Sequence, residues 1–95
     1  MSEIQIADQL ISLNGDLIAE KVRSLYEQSP KFGIGDYEID LSGVRKSDSA
    51  GLALLVYWYR QASDQKAEIV FKNSPESLLE IARLNGLGTM FLSTH

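Results

Sequence analysis

The 95-residue sequence contains no cysteine, a single histidine at its end, and no long uninterrupted run of apolar residues. The absence of cysteine excludes disulfides, a thiolate nucleophile and thiolate metal sites, and it is typical of a reducing compartment. A membrane-spanning helix needs about 20 apolar residues in succession, and the sequence has no such stretch. The start Met1-Ser2-Glu3 lacks the basic and apolar regions of a signal peptide, so we expect a cytoplasmic protein.

Positive charge is also scarce and scattered. Nine lysine and arginine residues stand against 13 aspartate and glutamate residues, which gives a formal net charge of -4. Binding to nucleic-acid phosphates depends on clustered basic side chains, so we do not expect nucleic acid as a partner. The length and the 44% apolar content are typical of a single domain with one core, which we expect to span residues 1–95.

Alternation of apolar and polar residues predicts strands, and apolar residues spaced three or four apart predict helices. These patterns give the order β-β-α-β-α-β-α-(β) along the chain. The predicted elements are strands at 4–6, 11–13, 37–41 and 67–71, helices at 17–28, 49–63 and 75–84, and a final edge strand at 87–92. We therefore expect an α/β fold with a mixed β-sheet and its helices packed mainly on one face.

Residues that commonly cap helices mark the predicted helix ends. Asp16 precedes the first helix and Ser49 opens the second, and both side chains carry an oxygen that can accept bonds from first-turn N–H groups. Ser74 and Pro75 are typical of an N-cap followed by the first helical residue of the third helix. Asn85-Gly86 is predicted to end that helix in the left-handed conformation that glycine tolerates best.

Motifs in the middle of the chain carry a family resemblance. Asp40-Leu41-Ser42-Gly43-Val44 is followed by Asp48-Ser49-Ala50-Gly51-Leu52, and Leu13-Asn14-Gly15-Asp16-Leu17 lies upstream. With the predicted order of elements, these motifs resemble the STAS domain family, the fold of bacterial anti-sigma-factor antagonists, over almost the whole chain. Gly51-Leu52-Ala53-Leu54-Leu55 is similar to the MlaB-type branch of that family, whose members are small subunits of the bacterial Mla phospholipid-transport ABC complex.

The two branches imply different functions. Resemblance to the MlaB-type branch implies a cytoplasmic subunit without catalytic activity that docks on the transporter ATPase through the Ser49 loop and the second helix. Resemblance to the anti-sigma-factor antagonists implies that a partner kinase phosphorylates Ser49 and thereby breaks a complex. Neither implies a cofactor. Tyr57-Trp58-Tyr59 is bulkier than the MlaB-type pattern, so the sequence does not identify the partner.

Two residues at the start of the second helix, Ser49 and Gly51, have more than one interpretation. The Ser49 hydroxyl can cap the helix, and a phosphate there would meet the positive helix end while Asp48 opposes its charge. Gly51 costs about 1 kcal/mol relative to alanine inside a helix, so we expect a close approach by a neighbouring strand or by a partner backbone.

The second helix is apolar on nearly every side. At about 100° per residue, Leu52, Leu55, Val56 and Tyr59 point towards the sheet. The opposite face carries Ala50, Leu54, Tyr57 and Gln61, flanked by Ala53 and Trp58. We predict that this face binds a protein, with Tyr57 and Trp58 as anchors, unless neighbouring helices cover Leu54 and Trp58. The predicted partner-binding residues are Arg45, Lys46, Asp48, Ser49, Ala50, Gly51, Ala53, Leu54, Tyr57, Trp58 and Gln61.

No pattern of residues predicts catalysis or a metal site. His95 stands alone, without an acid or nucleophile to complete a triad. Asp36, Glu38, Asp40 and Asp48 are expected near one end of the sheet, but their spacing does not require a magnesium ion. We therefore expect a binding protein, and an enzyme or nucleotide-binding protein is the weakest alternative.

Overall fold

A computed structural model of the protein describes residues 4–91, which form four strands, three α-helices and a 3-10 helix. The elements in chain order are β1 (Ile4–Ala7), β2 (Leu10–Leu17), α1 (Ala19–Glu27), β3 (Gly35–Ser47), α2 (Ser49–Asp64), β4 (Ala67–Lys72), α3 (Glu76–Leu84) and the 3-10 helix (Gly88–Phe91). This order confirms the predicted α/β fold up to α3.

The strands lie in the order β1-β2-β3-β4 in one mixed sheet, in which β1 and β2 are antiparallel and β2, β3 and β4 are parallel. Both parallel crossovers step in the same direction across the sheet. Since such crossovers are right-handed, α1 and α2 cover the same face, where they also pack on each other. The opposite face exposes polar residues such as Glu38 and Glu68.

The core forms where apolar side chains of neighbouring strands share a row. Ile11, Ile39 and Phe71 are register partners across β2, β3 and β4, and all three are fully buried. Leu55 of α2 and Leu78 of α3 are also fully buried. Burying side chains of this size stabilises the fold by about 1.5–3 kcal/mol each, so this layer fixes how the helices sit on the sheet.

Two strands extend further than their sequence pattern predicts. The predicted strand ends at Leu13 and Leu41 are both wrong, because β2 continues to Leu17 and β3 to Ser47. Strands pair through their backbone N–H and C=O groups, so polar residues can also take part in the sheet. The register between β2 and β3 shifts twice, and each shift accommodates one extra residue of β3. The additional pairs are Asn14 with Gly43, Gly15 with Val44, and Leu17 with Ser47.

The predicted caps of α1 and α3 are also wrong. Ile18 is the N-cap of α1, while Asp16 lies in β2 and its Oδ1 is 3.6 Å from Nε of Arg45. Pro75 is the N-cap of α3, and the Ser74 hydroxyl is buried without a hydrogen-bond partner among residues 4–91.

The end of α3 is confirmed as predicted. Gly86 has a φ of +71°, and the N–H of Leu87 donates to the Ala82 carbonyl at 2.7 Å, which is the bonding pattern of a Schellman motif. Up to Phe91 the prediction of a final edge strand is wrong, because Gly88–Phe91 form a 3-10 helix. This turn places the Phe91 ring 4.6 Å from the Phe71 ring in the core, whereas Leu92 and His95 lie outside the described residues.

Candidate partner-binding site

The junction between β3 and α2 is held by one carboxylate. Asp48 is the N-cap of α2, and its Oδ1 accepts a hydrogen bond from the Gly51 N–H at 3.1 Å. Its Oδ2 accepts from the Ala19 N–H at 3.0 Å, so the same side chain also supplies the missing cap of α1. The Ala19 bond, together with smaller contributions from the N–H groups of Gly51 and Ala50, lowers the pKa of Asp48 against a desolvation effect that raises it.

Ser49 is the first residue of α2 and is exposed. The interpretation of Ser49 as the cap is wrong, because Asp48 accepts the first-turn N–H bond. Within residues 4–91 the Ser49 hydroxyl forms no hydrogen bond. It is therefore open to a partner at the positively charged end of a helix.

Gly51 is buried where α2 passes over the end of β2. A Cβ atom at this position would overlap the carbonyl oxygen of Leu17 and lie 2.7 Å from its Cγ. The close approach of the neighbouring strand, one of the two predicted explanations, is thus confirmed. Gly51 therefore lies beneath the site, against β2, and is not part of its surface.

Two residues of the predicted partner-binding face belong to the core. Leu54 is 3% exposed and Trp58 is 0% exposed, so the prediction that they lie on an open face is wrong. The loop that follows α1 covers Trp58, whose Nε1 donates to the Ser29 hydroxyl at 2.8 Å. The alternative, that neighbouring helices cover both residues, is confirmed for their burial, but a loop and not a helix contacts the Trp58 indole.

The outward face of α2 is rotated from the predicted one. Ser49, Ala53 and Arg60 are exposed along it, and Val56 and Tyr57 are half-buried beside them. Ala50 is half-buried and Gln61 is exposed on one flank, whereas Tyr59, predicted to face the sheet, is 40% exposed. Arg60 and Asp64 are the charged residues of α2, and both lie on its outward side. The charged positions in the sequence thus indicate the exposed side of this helix correctly.

Two shallow grooves run along the outward face of α2. The first groove lies between α2 and the segment that follows α3, and its volume is about 450 Å³. It is lined by Ser49, Leu52, Ala53, Val56, Tyr57, Arg60, Asn85 and Leu87. The α1–α2 groove has a volume of about 430 Å³ and is walled by Ala19, Val22, Ala53 and Leu54, with Arg23 at its rim. Both grooves are mostly apolar and have no carboxylate in their linings.

Tyr57 lies between the two grooves and contributes to both. Its ring lies 5.0 Å from the ring of Tyr26 at an angle of 44°, and a hydrogen bond with Tyr26 raises the pKa of Tyr57. Tyr26 and its neighbour Val22, together with Val56, Arg60 and Leu87, were not predicted as site residues. Two features of the sequence could have identified some of them: the amphipathic pattern of α1, which contains Val22 and Tyr26, and the position of the charged Arg60 on α2.

The basic pair Arg45 and Lys46 lies near the end of β3, a few residues before Ser49, and both are exposed. The Arg45 side chain remains 76% exposed despite its contact with Asp16. Exposed ion pairs of this kind contribute little to stability, about 0–1 kcal/mol, so the Arg45 guanidinium stays open to solvent. Neither Arg45 nor Lys46 lines either groove.

The acidic residues do not gather at one end of the sheet as expected. Asp36 lies at the start of β3, and Asp48 follows the end of this 13-residue strand. Asp40 accepts bonds from the Asn73 side chain and the Ser42 N–H, both at 3.0 Å, and these bonds lower its pKa. Residues 4–91 contain no acidic or histidine cluster able to hold a metal ion, and none of their helices is long and apolar enough to cross a membrane.

The order of elements and the mixed sheet agree with the resemblance to the STAS domain family found in the sequence. A family model described as "Mlab, STAS domain" matches residues 2–93, so the chain belongs to the STAS domain family. Among solved structures, the anti-sigma factor antagonist SpoIIAA in its unphosphorylated form is similar, with a TM-score of 0.72 over 97% of this chain and 85% of that one. Their sequence identity is 14%, so this likeness concerns the fold. A comparison with curated protein sequences found no match.

Proposed function

We propose that this protein is a subunit without catalytic activity that binds the ATPase of an Mla-type phospholipid-transport ABC transporter, a system that maintains the lipid asymmetry of the outer membrane. The observation that carries the proposal is the family match of the Mlab type over residues 2–93. It is supported by the shallow, mostly apolar surface along α2, which suits protein binding.

The contact surface in this proposal is the outward face of α2. Ser49, Ala53 and Tyr57 form its centre. Arg45 and Lys46, which are exposed shortly before Ser49 in the sequence, are proposed as further contacts. Leu54, Trp58 and Gly51 support the surface from within the core and do not touch the partner. The protein acts in the cytoplasm and reaches the inner membrane only through the transporter, and no cofactor is involved.

The proposal is tested by co-purification of the tagged full chain with the transporter ATPase. We expect Ser49→Glu and Ala53→Glu to remove the ATPase, because each places a carboxylate on the contact surface while leaving the core intact. Ser77→Glu is the matched control, since Ser77 is also an exposed serine in the first turn of a helix but lies outside both grooves. Recovery of the ATPase with both surface variants would refute the proposal.

A second candidate function is that of an anti-sigma-factor antagonist controlled by phosphorylation of Ser49. The exposed Ser49 hydroxyl directly after Asp48 and the fold likeness to SpoIIAA favour it. The chain is incubated with a cognate anti-sigma kinase and ATP, and its intact mass is measured against a Ser49→Ala control. A mass gain of one phosphoryl group in the native chain alone supports this role, and an unchanged mass counts against it.

A further inference from the structure

The asparagines of the chain differ in chemical reactivity. Of the three asparagines, Asn14 and Asn85 are each followed directly by glycine, whereas Asn73 is followed by serine. The side-chain amide of asparagine can react with the backbone nitrogen of the next residue, and glycine leaves that nitrogen least hindered because it has no Cβ. The two Asn-Gly pairs are therefore the reactive ones, and they lie in very different parts of the fold.

The pair Asn14-Gly15 is held inside the sheet. Both residues belong to β2, where Asn14 pairs with Gly43 of β3 and Gly15 pairs with Val44. The Asn14 side chain lies so close to Gly43 that a Cβ atom there would overlap its Oδ1. Reaction requires rotation about the Cα–C bond of Asn14, which would open the ladder between β2 and β3. Opening a central strand costs nearly as much free energy as unfolding the whole domain, so this pair is protected.

The pair Asn85-Gly86 lies at the end of a helix. Asn85 follows the last residue of α3, Gly86 has a φ of +71°, and both residues are exposed. The Asn85 Nδ2 donates to the Ile81 carbonyl at 2.8 Å, and the Gly86 N–H donates to the Arg83 carbonyl at 3.1 Å. Both bonds must open before the two groups can react, but helix ends fray at a small cost in free energy. The turn therefore slows the reaction without blocking it.

We infer that Asn85 is a site of spontaneous deamidation, a modification that is independent of the proposed function. A hydroxide ion takes the proton of the Gly86 N–H, and the nitrogen attacks Cγ of Asn85. The side-chain nitrogen takes a proton from water and leaves as ammonia, which regenerates the hydroxide. The cyclic succinimide then adds water at either of its carbonyl carbons and opens to aspartate or to isoaspartate. The net change is water gained and ammonia lost, without an oxidant or a reductant.

Both products would change the groove between α2 and the segment that follows α3, because Asn85 and Leu87 line it. Aspartate places a negative charge at the C-terminal end of α3, which the helix dipole disfavours, and it removes the donor to the Ile81 carbonyl. Isoaspartate also inserts a methylene group into the backbone. This insertion would displace the Leu87 N–H from the Ala82 carbonyl, to which it donates at 2.7 Å.

The test follows both Asn-Gly pairs in the same full chain, incubated at mildly alkaline pH either folded or unfolded in urea. Trypsin cleaves after Lys21 and Arg83, so Asn14 and Asn85 fall in different peptides, and mass spectrometry measures how much of each has exchanged its amide for a carboxyl group. In the folded chain we expect Asn85 to react at least about tenfold faster than Asn14, because its turn opens more easily. In urea the two rates should be similar. A reaction at Asn14 that is as fast in the folded chain, or a reaction at Asn85 only in urea, would overturn the inference.

Asn85→Gln is the matched control. Glutamine keeps the amide donor but carries its carbonyl carbon one methylene further from the Gly86 nitrogen, so ring closure is disfavoured. We expect this peptide to stay unmodified in the variant while Asn14 reacts as before. Carboxyl formation in it at the original rate would show that Asn85 is not the reacting residue. Asn85→Asp reproduces the aspartate product, and unchanged amide resonances of Gly86 and Leu87 in this variant would refute the effect on the groove.

Discussion

Helices α2 and α3 start in different ways. The first turn of α2 is closed by the Asp48 side chain, which also reaches the first turn of α1, and Gly51 lets that turn contact Leu17. The first turn of α3 has no side-chain cap and follows a buried Ser74 hydroxyl without a partner among the described residues. The contrast indicates that the fold fixes the start of α2 tightly, at the point where the outward face of α2 begins.

The largest expected effect comes from Gly51→Ala. The added methyl group would overlap the Leu17 carbonyl oxygen, so α2 must move away from β2, and we expect a loss of about 3 kcal/mol in the free energy of unfolding. Urea denaturation measures the loss. Gly33→Ala is the control, because its new methyl group would lie 3.8 Å from the Tyr37 hydroxyl, an ordinary contact. Equal stability of the two variants would contradict the close approach.

Removing the shared cap should have the next largest effect. Asp48→Ala leaves the N–H groups of Gly51 and Ala19 without their acceptor, and at about 1 kcal/mol for each cap we expect a loss of about 2 kcal/mol. Asp48→Asn retains one acceptor oxygen and should lose about half as much. Hydrogen exchange of the Ala19 amide distinguishes the shared cap from a local one, since a cap confined to α2 would leave this amide protected in Asp48→Ala.

Acid should weaken the start of α2. The pKa of Asp48 is lowered in the folded state, so its stabilising effect is present above the unfolded pKa of about 3.9 and is lost as the pH falls through the folded value. Asp40 behaves in the same way. We expect the free energy of unfolding to fall below about pH 4, and to fall less steeply in Asp48→Asn. Identical pH profiles for the two proteins would show that Asp48 does not contribute.

The smallest expected effect is at the start of α3. Ser74→Ala removes a buried hydroxyl that has no hydrogen-bond partner within residues 4–91, so we expect no loss, or a gain of up to about 1 kcal/mol. Thermal unfolding detects such a change. A clear loss of stability would mean that Ser74 caps α3 after all, as its sequence pattern predicts.

The sequence predicts the central part of each element because apolar periodicity reports burial directly. Ile11, Ile39 and Phe71 all lie in predicted strands, and they form the central row of the core. The ends of β2 and β3 could not be predicted in this way, because Asn14 and Gly43 pair through backbone groups that every residue carries.

The outward side of α2 and the cap at its start were both predicted on the wrong residues. Asp48 and Ser49 are both good capping residues, and the choice between them depends on Ala19, which is 29 positions from Asp48 in the sequence. The outward side of α2 was misplaced because Leu54 and Trp58 are covered by segments whose positions periodicity cannot give, among them the loop that contains Ser29. Predicting the capping residue or the outward side of α2 would have required knowledge of contacts between residues that are distant in the sequence.

The shared use of Asp48 has a consequence for protein engineering. Because one side chain closes the starts of two helices, the turn before α1 and the turn before α2 cannot be changed in length independently. Transplanting the α2 surface onto another scaffold would therefore require residues 17–19 as well as residues 48–60. The smallest portable unit of this proposed binding surface is a pair of strand-to-helix turns that lie far apart in the sequence.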